Sequence, residues 1–267
     1  MGKVVGPPLT QSDKNWILEQ HVFFHASAPL SALHRVNVSP KSAKEFKIID
    51  DCTVAWADLA GSGSETCAHV LQNGRLTVLF VAFNGPPKIL RLHGKGSIVL
   101  RSELQHPHHQ ELAHQFQDVL SDKNEGNFGI RAIVVMKIER ASQSCGYSIP
   151  QFVYKAERTT LTDVTVKKGC EGIEEYRRLK NSYSIDGLPS IAQLEAAHTH
   201  TSPVELDYAD GYVYVTKYGN SLWKQCQVRC SLAWHFFAWD ISQRDIYMIA
   251  LGAGIGAVAM HLKGRIK

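Results

Sequence analysis

Two apolar runs, residues 75–83 (RLTVLFVAF) and 88–100 (KILRLHGKGSIVL), flank a turn-forming stretch at 84–87 (NGPP). This arrangement predicts two strands that return on each other as an antiparallel hairpin. The second run contains Gly94 and Gly96, and glycines inside a strand indicate a bulge or a close approach by another segment. A chain organised around such a hairpin is constrained towards an antiparallel sheet.

Further strands and short helices surround this hairpin in the sequence. Strand patterns occupy residues 22–28, 36–41, 53–59, 130–138 and 151–155. Helix patterns, with Ser12 as N-cap of the first and Gly74 closing the second, occupy residues 12–20, 65–73, 106–120 and 170–179. Many strands with short helices between them favour hairpins over regular βαβ units. We therefore expect a mainly β (α+β) fold, a closed or partly closed antiparallel β-barrel with peripheral helices.

Charge and cysteine content exclude several classes of function. The net charge of the 267 residues is only +4, without a dense basic stripe, so nucleic-acid binding is not expected. The start does not resemble a signal peptide and the six cysteines are scattered, which indicates free thiols in a reducing, cytoplasmic setting. No metal site is expected, because Cys226 and Cys230 lack a second cysteine pair and the histidines of residues 106–114 suit a solvated helix face.

Three segments carry groups that suit a phosphate. Alternation over residues 36–41 puts Ser39 and Lys41 on the same strand face. The loop at 61–64 (GSGS) opens a helix, and backbone amides at a helix N-terminus favour an anion. Arg91 alternates with apolar neighbours, so its side chain points away from theirs, towards a possible cleft. Cationic, hydroxyl and amide donors are the groups that bind a dianionic phosphate.

Each of these features also has a plainer interpretation. Lys41 suits an exposed position on an edge strand, and the loop at 61–64 suits a simple strand-to-helix connection. Trp56 suits a core position, as large aromatic side chains usually do. Arg91 suits a salt bridge across the hairpin.

Five stretches, taken together and in order, resemble the pyridoxamine-phosphate-oxidase-like family of FMN-binding split barrels. They span about 160 residues: 25–41 (HASAPLSALHRVNVSPK), 56–80 (WADLAGSGSETCAHVLQNGRLTVLF), 83–96 (FNGPPKILRLHGKG), 144–150 (SCGYSIP) and 185–189 (IDGLP). The resemblance implies a split-barrel domain at residues 1–192 and a homodimer with FMN (flavin mononucleotide) in a groove between the subunits.

The resemblance also implies roles for individual residues. A strand like 36–41 and a loop-helix like 61–66 would hold the phosphate and ribityl chain, and a strand like 56–58 would contact the isoalloxazine ring. The implied cofactor-binding residues are Asn37, Ser39, Lys41, Trp56, Ser62, Gly63, Ser64, Thr66 and Arg91. Three more, at the edge of the partner subunit's pocket, are Cys145, Gly146 and Tyr147.

The expected activity is that of an FMN-dependent oxidoreductase acting on a small-molecule substrate. No side chain stands out as an obligatory acid or base, as expected when the cofactor carries the chemistry. The arginine-leucine-histidine-aspartate-arginine-like run of vitamin B6 oxidases is absent, and SCGYSIP stands in its place. Two alternatives stay open: a non-catalytic flavin-binding protein and a haem- or tetrapyrrole-handling split barrel.

The character of the sequence changes after the barrel. Residues 193–244 form a polar and aromatic linker extension, and residues 245–267 form an apolar C-terminal helix. The stretch 246–262 has no Asp, Glu, Lys or Arg, and Gly252 and Gly256 make a small-xxx-small pair. This helix suits either a tail anchor on an intracellular membrane or a buried, dimer-packing terminal helix.

Overall fold

The computed structural model describes residues 3–121, 127–199, 204–209 and 212–218. Ten strands lie within these ranges: β1 Lys3–Gly6, β2 Val22–Ser27, β3 Asn37–Ser42, β4 Phe46–Asp50, β5 Thr53–Leu59, β6 Arg75–Val81, β7 Ile89–Leu100, β8 Ile130–Ser144, β9 Val204–Ala209 and β10 Tyr212–Tyr218. The described residues also form six α-helices: α1 Gln11–Leu18, α2 Glu65–Asn73, α3 Gln110–Gln115, α4 Gln117–Leu120, α5 Thr160–Lys180 and α6 Ile191–Thr199.

One antiparallel sheet organises these elements. Its strand order is β3-β2-β6-β7-β8-β5-β4, with β1 added along β8, and β9 and β10 pair separately. Each neighbouring pair in this order is antiparallel. The predicted preference for hairpins over βαβ units is therefore confirmed, and β6 and β7 form the predicted hairpin around 84–87.

The sheet curls into a half-barrel, because residues on strands far apart in its order touch across the inner face. The ring of Phe23 on β2 lies 5.0 Å from that of Phe46 on β4 and 5.5 Å from that of Trp56 on β5, centroid to centroid. These rings join apolar residues of β6, β7 and β8 in the main core. Burial of this continuous apolar face drives the curling.

Helices close the half-barrel on both sides. Cys67 of α2 packs with Leu100, Ala132 and Ile191, which places α2 between the end of the sheet and α6. Helices α3 and α4 cover the opposite face of β5, β7 and β8 in a second cluster around Phe116. Helix α2 ends at Gly74 in the left-handed conformation (φ 71°), as predicted.

Gly94 marks a close approach by another segment, one of the two outcomes that the glycines inside β7 predicted. His93 pairs with Arg140 and Gly94 with Ile138, so the register shifts here and Glu139 of β8 is the extra residue. A Cβ atom at position 94 would lie 1.9 Å from the carbonyl oxygen of Lys137. Only glycine permits this approach of two backbones.

Four predicted elements differ in detail. The cap of α1 is Thr10, whose hydroxyl accepts a hydrogen bond from the Asp13 N–H, and not Ser12. Residues 151–155 are not a strand, because they pair with no strand of the sheet. The segment 106–120 is broken into short helices around the buried Phe116. Helix α5 begins before the predicted 170–179, with a kink at Gly169.

The predicted apolar C-terminal helix lies outside the described residues. Among the residues that the structure does describe, none of the helices is long and apolar enough to cross a membrane. The contacts divide the chain into Met1–Tyr218 and Gly219–Lys267, and every described residue belongs to the first unit.

We predict that Gly94→Ala destabilises the protein by about 3 kcal/mol or more, because the new methyl group collides with a backbone oxygen that cannot move without breaking the β7–β8 pairing. Urea unfolding measures the change. The control is Gly61→Ala, where nothing lies within 4 Å of the added atom; we expect a change within about 0.5 kcal/mol there. Equal stability of the two variants would contradict the close approach.

Candidate functional site

Strand β3 presents its polar residues to the inside of the half-barrel. It pairs with β2 in a register that sets Asn37, Ser39 and Lys41 opposite the buried Ser27, His25 and Phe23. The intervening Val38 is 63% exposed on the outer face. The predicted alternation is therefore correct, with the polar side inward.

A hydrogen-bonded chain runs from β3 to β2 through α2. Ser39 Oγ donates to Asn37 Oδ1 over 3.1 Å, and Asn37 Nδ2 donates to Thr66 Oγ1 over 2.8 Å. Thr66 Oγ1 in turn lies 3.2 Å from His25 Nδ1. The direction of this last hydrogen bond depends on which imidazole nitrogen carries the proton.

A cluster of three charges lies beside this chain. Lys41 Nζ is 3.1 Å from Asp58 Oδ1, and Arg131 Nε is 2.7 Å from Asp58 Oδ2. Arg131 also donates to the Gly63 carbonyl oxygen over 2.9 Å, which ties the cluster to the loop at 61–64. The buried Cys67 thiol donates to Asp58 Oδ2 over 3.3 Å. We call Lys41, Asp58 and Arg131 the charge cluster.

A β-bulge aims Arg131 into this cluster. On β5, Asp58 pairs with Ala132 and Leu59 pairs with Ile130, so Arg131 is the extra residue between them. Without the bulge, strict alternation would send Arg131 to the opposite face from Ala132. The irregularity thus supplies a buried cation that a regular strand would not.

Burial and the neighbouring charges shift the pKa values in the cluster. Burial opposes ionisation of Asp58, but the charges of Arg131 and Lys41 outweigh it and hold the pKa of Asp58 well below its usual range. Burial, reinforced by repulsion from Lys41, lowers the pKa of His25 to about 4. Asp58 is therefore ionised and His25 neutral near pH 7.

The loop at 61–64 has a solvent side and a buried side. Ser62 and Gly63 are exposed next to the first turn of α2, whereas Ser64 is buried. The Ser64 hydroxyl lies 2.5 Å from Ser190 Oγ and donates to the Asn181 carbonyl oxygen over 3.2 Å. The Ser64 side chain thus faces the segment 181–190, which we call the clasp, and not the solvent.

Two implied residues lie apart from this assembly. Trp56 is fully buried among Phe23 and Phe46, so its ring is part of the aromatic core, and its Nε1 has no hydrogen-bond partner among the described residues. Arg91 pairs with Leu79 and Ser142 on the outer face, opposite to β3's inward residues, and donates to Ser144 Oγ. Its direction away from Leu90 and Leu92 is as predicted.

Residues 145–147 lie beyond the end of β8. Cys145 and Tyr147 are exposed, the latter by 82%, while Gly146 is buried against Lys88. No hydrogen bond or ion pair joins these three residues to the charge cluster within the described part of the chain. Their contribution to the site from a partner subunit, as the resemblance implies, stays a prediction.

Sequence reasoning missed three residues of the site. Asp58 and His25 lie inside the stretches that carried the resemblance. Each is two residues from a large aromatic residue, Trp56 or Phe23, so strand alternation places it on the same inward face, and this spacing could have identified both. Arg131 had no such signal, because its direction depends on the bulge. The structure therefore brings together Asn37, Ser39, Lys41 and Thr66 as implied and adds these three.

We predict that His25 makes stability depend on pH between about 6.5 and 4. Its pKa is lower in the folded state, so the unfolded chain binds more protons in this window and stability falls as pH decreases, by about 3 kcal/mol in total. In urea unfolding, His25→Asn should show a shallower pH dependence, whereas the exposed His108→Asn should not. An unchanged slope for His25→Asn would refute the buried neutral imidazole.

Comparison with known proteins locates the chain in a family. No protein-family model matches the sequence. The Aspergillus flavus protein named pyridoxamine 5'-phosphate oxidase family protein ustO is 30% identical over 200 residues, which cover 68% of this chain and 76% of that protein.

Similar solved structures are more distant. HupZ of Group A Streptococcus is 20% identical, with a TM-score of 0.38 over 50% of this chain and 91% of that chain. A pyridoxamine 5'-phosphate oxidase-related, FMN binding protein of Nostoc punctiforme is 7% identical, with a TM-score of 0.39 over 52% and 85% of the two chains. Likeness at this level does not define the family, but the identity and coverage shared with the Aspergillus flavus protein do: the chain belongs to the pyridoxamine 5'-phosphate oxidase family.

Proposed function

We propose that this protein is an FMN-dependent oxidoreductase with a split-barrel fold, and that the charge cluster and the loop at 61–64 hold the FMN phosphate. The observation that carries the proposal is the convergence of Lys41 and Arg131 on Asp58, next to the exposed Ser62 and Gly63 that precede α2. Family membership supports it.

The charge of the cluster fits a phosphate. Two cations and one carboxylate leave a net charge of +1, and an arginine presents its donors in the fork geometry that suits phosphate oxygens. Arg131 Nη1 is buried and has no hydrogen-bond partner among the described residues. A buried guanidinium donor without an acceptor is costly, so an anion supplying that acceptor would bind favourably.

The loop adds neutral donors. Ser62 and Gly63 are exposed at the N-terminus of α2, a nine-residue helix whose first amides favour negative charge. The Glu65 carboxylate accepts from the Ser64 N–H over 3.0 Å, so this one amide is already engaged. The proposal therefore assigns the phosphate to Lys41, Arg131, the Ser62 hydroxyl and the Gly63 amide.

The protein's residues would bind and orient the cofactor, while FMN supplies hydride or electron transfer. Ser39, Asn37 and Thr66 offer hydroxyl and amide groups along β3 and α2, which suit a ribityl chain. His25 is neutral, buried and bonded to Thr66, which suits a role in fixing this chain of groups rather than in proton transfer.

A second copy of the chain is part of the proposal. Leu30, Leu33, Val36 and Val38 form an exposed apolar ridge on and before β3. The segment that precedes β3 is held in place, since Leu30 N donates to Gln72 and Arg35 N to Asp186. Ordered apolar side chains facing solvent are typical of a subunit interface. A homodimer through this ridge would let Arg91 and residues 145–147 of one subunit approach the other's site.

We predict that Lys41→Ala weakens FMN binding about 10- to 100-fold, because it removes a charge-assisted contact to the phosphate. Fluorescence titration of purified apoprotein with FMN measures the loss. The control is Lys47→Ala: Lys47 is 27% exposed and Lys41 28%, and Lys47 also pairs with an aspartate, Asp118, but away from the cluster. Equal FMN affinity of the two variants would refute the phosphate assignment.

The absorption spectrum of the purified protein tests the cofactor itself. The proposal expects the yellow spectrum of an oxidised flavin, and a Soret band would indicate a haem-handling protein instead. Turnover with NAD(P)H or pyridoxamine 5'-phosphate then separates an oxidoreductase from a non-catalytic flavin-binding protein.

We predict that Val38→Glu converts a dimer into a monomer, because a carboxylate buried in an apolar interface loses its hydration. Analytical ultracentrifugation gives the mass. The control is Leu18→Glu on α1, which replaces another side chain that is mostly exposed. A dimer that survives Val38→Glu would place the interface elsewhere.

A further inference from the structure

The clasp, residues 181–190, buries most of its polar residues. Asn181, Ser182 and Ser190 are inaccessible to solvent, and Ser184 and Asp186 nearly so. Hydrogen bonds within the clasp hold it together: Ser190 N donates to the Ser182 carbonyl oxygen over 2.8 Å, and a tight turn with Gly187 at φ 74° closes the far end. Asn181 Oδ1 has no hydrogen-bond partner among the described residues, but most of the buried polar groups are bonded, and such a network makes an element rigid.

The clasp contacts the loop at 61–64 at both of its ends. Asn181 Nδ2 donates to the Gly61 carbonyl oxygen over 2.8 Å. Ser190 Oγ donates to the Ser64 carbonyl oxygen over 2.9 Å and lies 2.5 Å from Ser64 Oγ. Ser62 and Gly63, between these fixed ends, are exposed on the other side.

A further contact orients the start of α2. The Ile185 N–H donates to Glu65 Oε1 over 3.3 Å, while Glu65 Oε2 accepts from Ser64 N. Asp186, also in the clasp, accepts from the Arg35 N–H over 2.7 Å and forms an ion pair with its guanidinium. The clasp thus fixes the loop, the first residue of α2 and the segment before β3 together.

We propose that the clasp is a positioning element that holds the loop at 61–64 in the conformation that binds a phosphate, with Asn181 and Ser190 as its positioning residues. This inference rests on the proposed function. The physical reason is pre-organisation: a short loop of glycines and serines has many conformations, and fixing both of its ends removes most of the entropy that ligand binding would otherwise cost. Neither residue needs to touch the ligand.

The test compares two ligands that differ only in the phosphate, FMN and riboflavin. We expect Ser190→Ala and Asn181→Ala to weaken FMN binding about tenfold, as the loss of a buried hydrogen bond implies, and to leave riboflavin affinity unchanged. Ser182→Ala is the matched control, because its hydroxyl donates to the Arg178 carbonyl oxygen and not to the loop. It should keep the wild-type ratio of FMN to riboflavin affinity.

Thermal unfolding of each apoprotein shows whether a variant folds. If one of the two clasp variants does not fold, the other one gives the ratio of FMN to riboflavin affinity. If the clasp variants weaken FMN and riboflavin binding by the same factor, the clasp has only a general structural role and the inference is overturned. If the wild type prefers FMN and Lys41→Ala abolishes that preference, but both clasp variants retain it, the inference fails while the proposed function stands. If the wild type binds FMN no more tightly than riboflavin, the phosphate assignment and the inference fall together.

Discussion

Three charged side chains hold the two ends of the sheet together. Lys41 lies on the edge strand β3, whereas Asp58 and Arg131 lie on β5 and β8, near the other end of the strand order. Their contacts require the sheet to curl, and the curling in turn brings the aromatic rings of β2, β4 and β5 into one core. A buried carboxylate between two cations is tolerable because each charge has a partner, and removing one partner would leave another uncompensated.

The same charges define what the site can bind. The excess positive charge and Arg131 Nη1, which lacks a hydrogen-bond partner among the described residues, would favour an anion, while the low pKa of His25 keeps the neighbouring imidazole neutral. His25 Nδ1 contacts Thr66 Oγ1 and so completes the hydrogen-bonded chain that starts at Ser39. Structure and binding thus depend on one electrostatic arrangement, in which burial strengthens each interaction.

The conformation of the loop at 61–64 also depends on contacts with a distant part of the chain. Its exposed residues are available to a ligand because its buried residues are bonded to the clasp, a segment more than a hundred residues away in the sequence. Ser64 illustrates the division: its position in a serine- and glycine-containing loop suggested a ligand contact, but its hydroxyl is engaged by Asn181 and Ser190. Burial of this polar segment is possible because most of its polar groups are hydrogen-bonded.

The sequence by itself determined six strands of the sheet (β2, β3, β5, β6, β7 and β8), the β6–β7 hairpin, the shared face of Ser39 and Lys41 and the close backbone approach at Gly94, because alternation and turn chemistry are local properties. Its residues also sufficed to identify the family. Only the tertiary structure decided that Arg131 turns inward at a bulge, that Trp56 is enclosed in the core and that Arg91 lies on the outer face. These outcomes depend on the curling of the sheet and on register shifts between distant strands, and periodicity within a single strand does not contain that information.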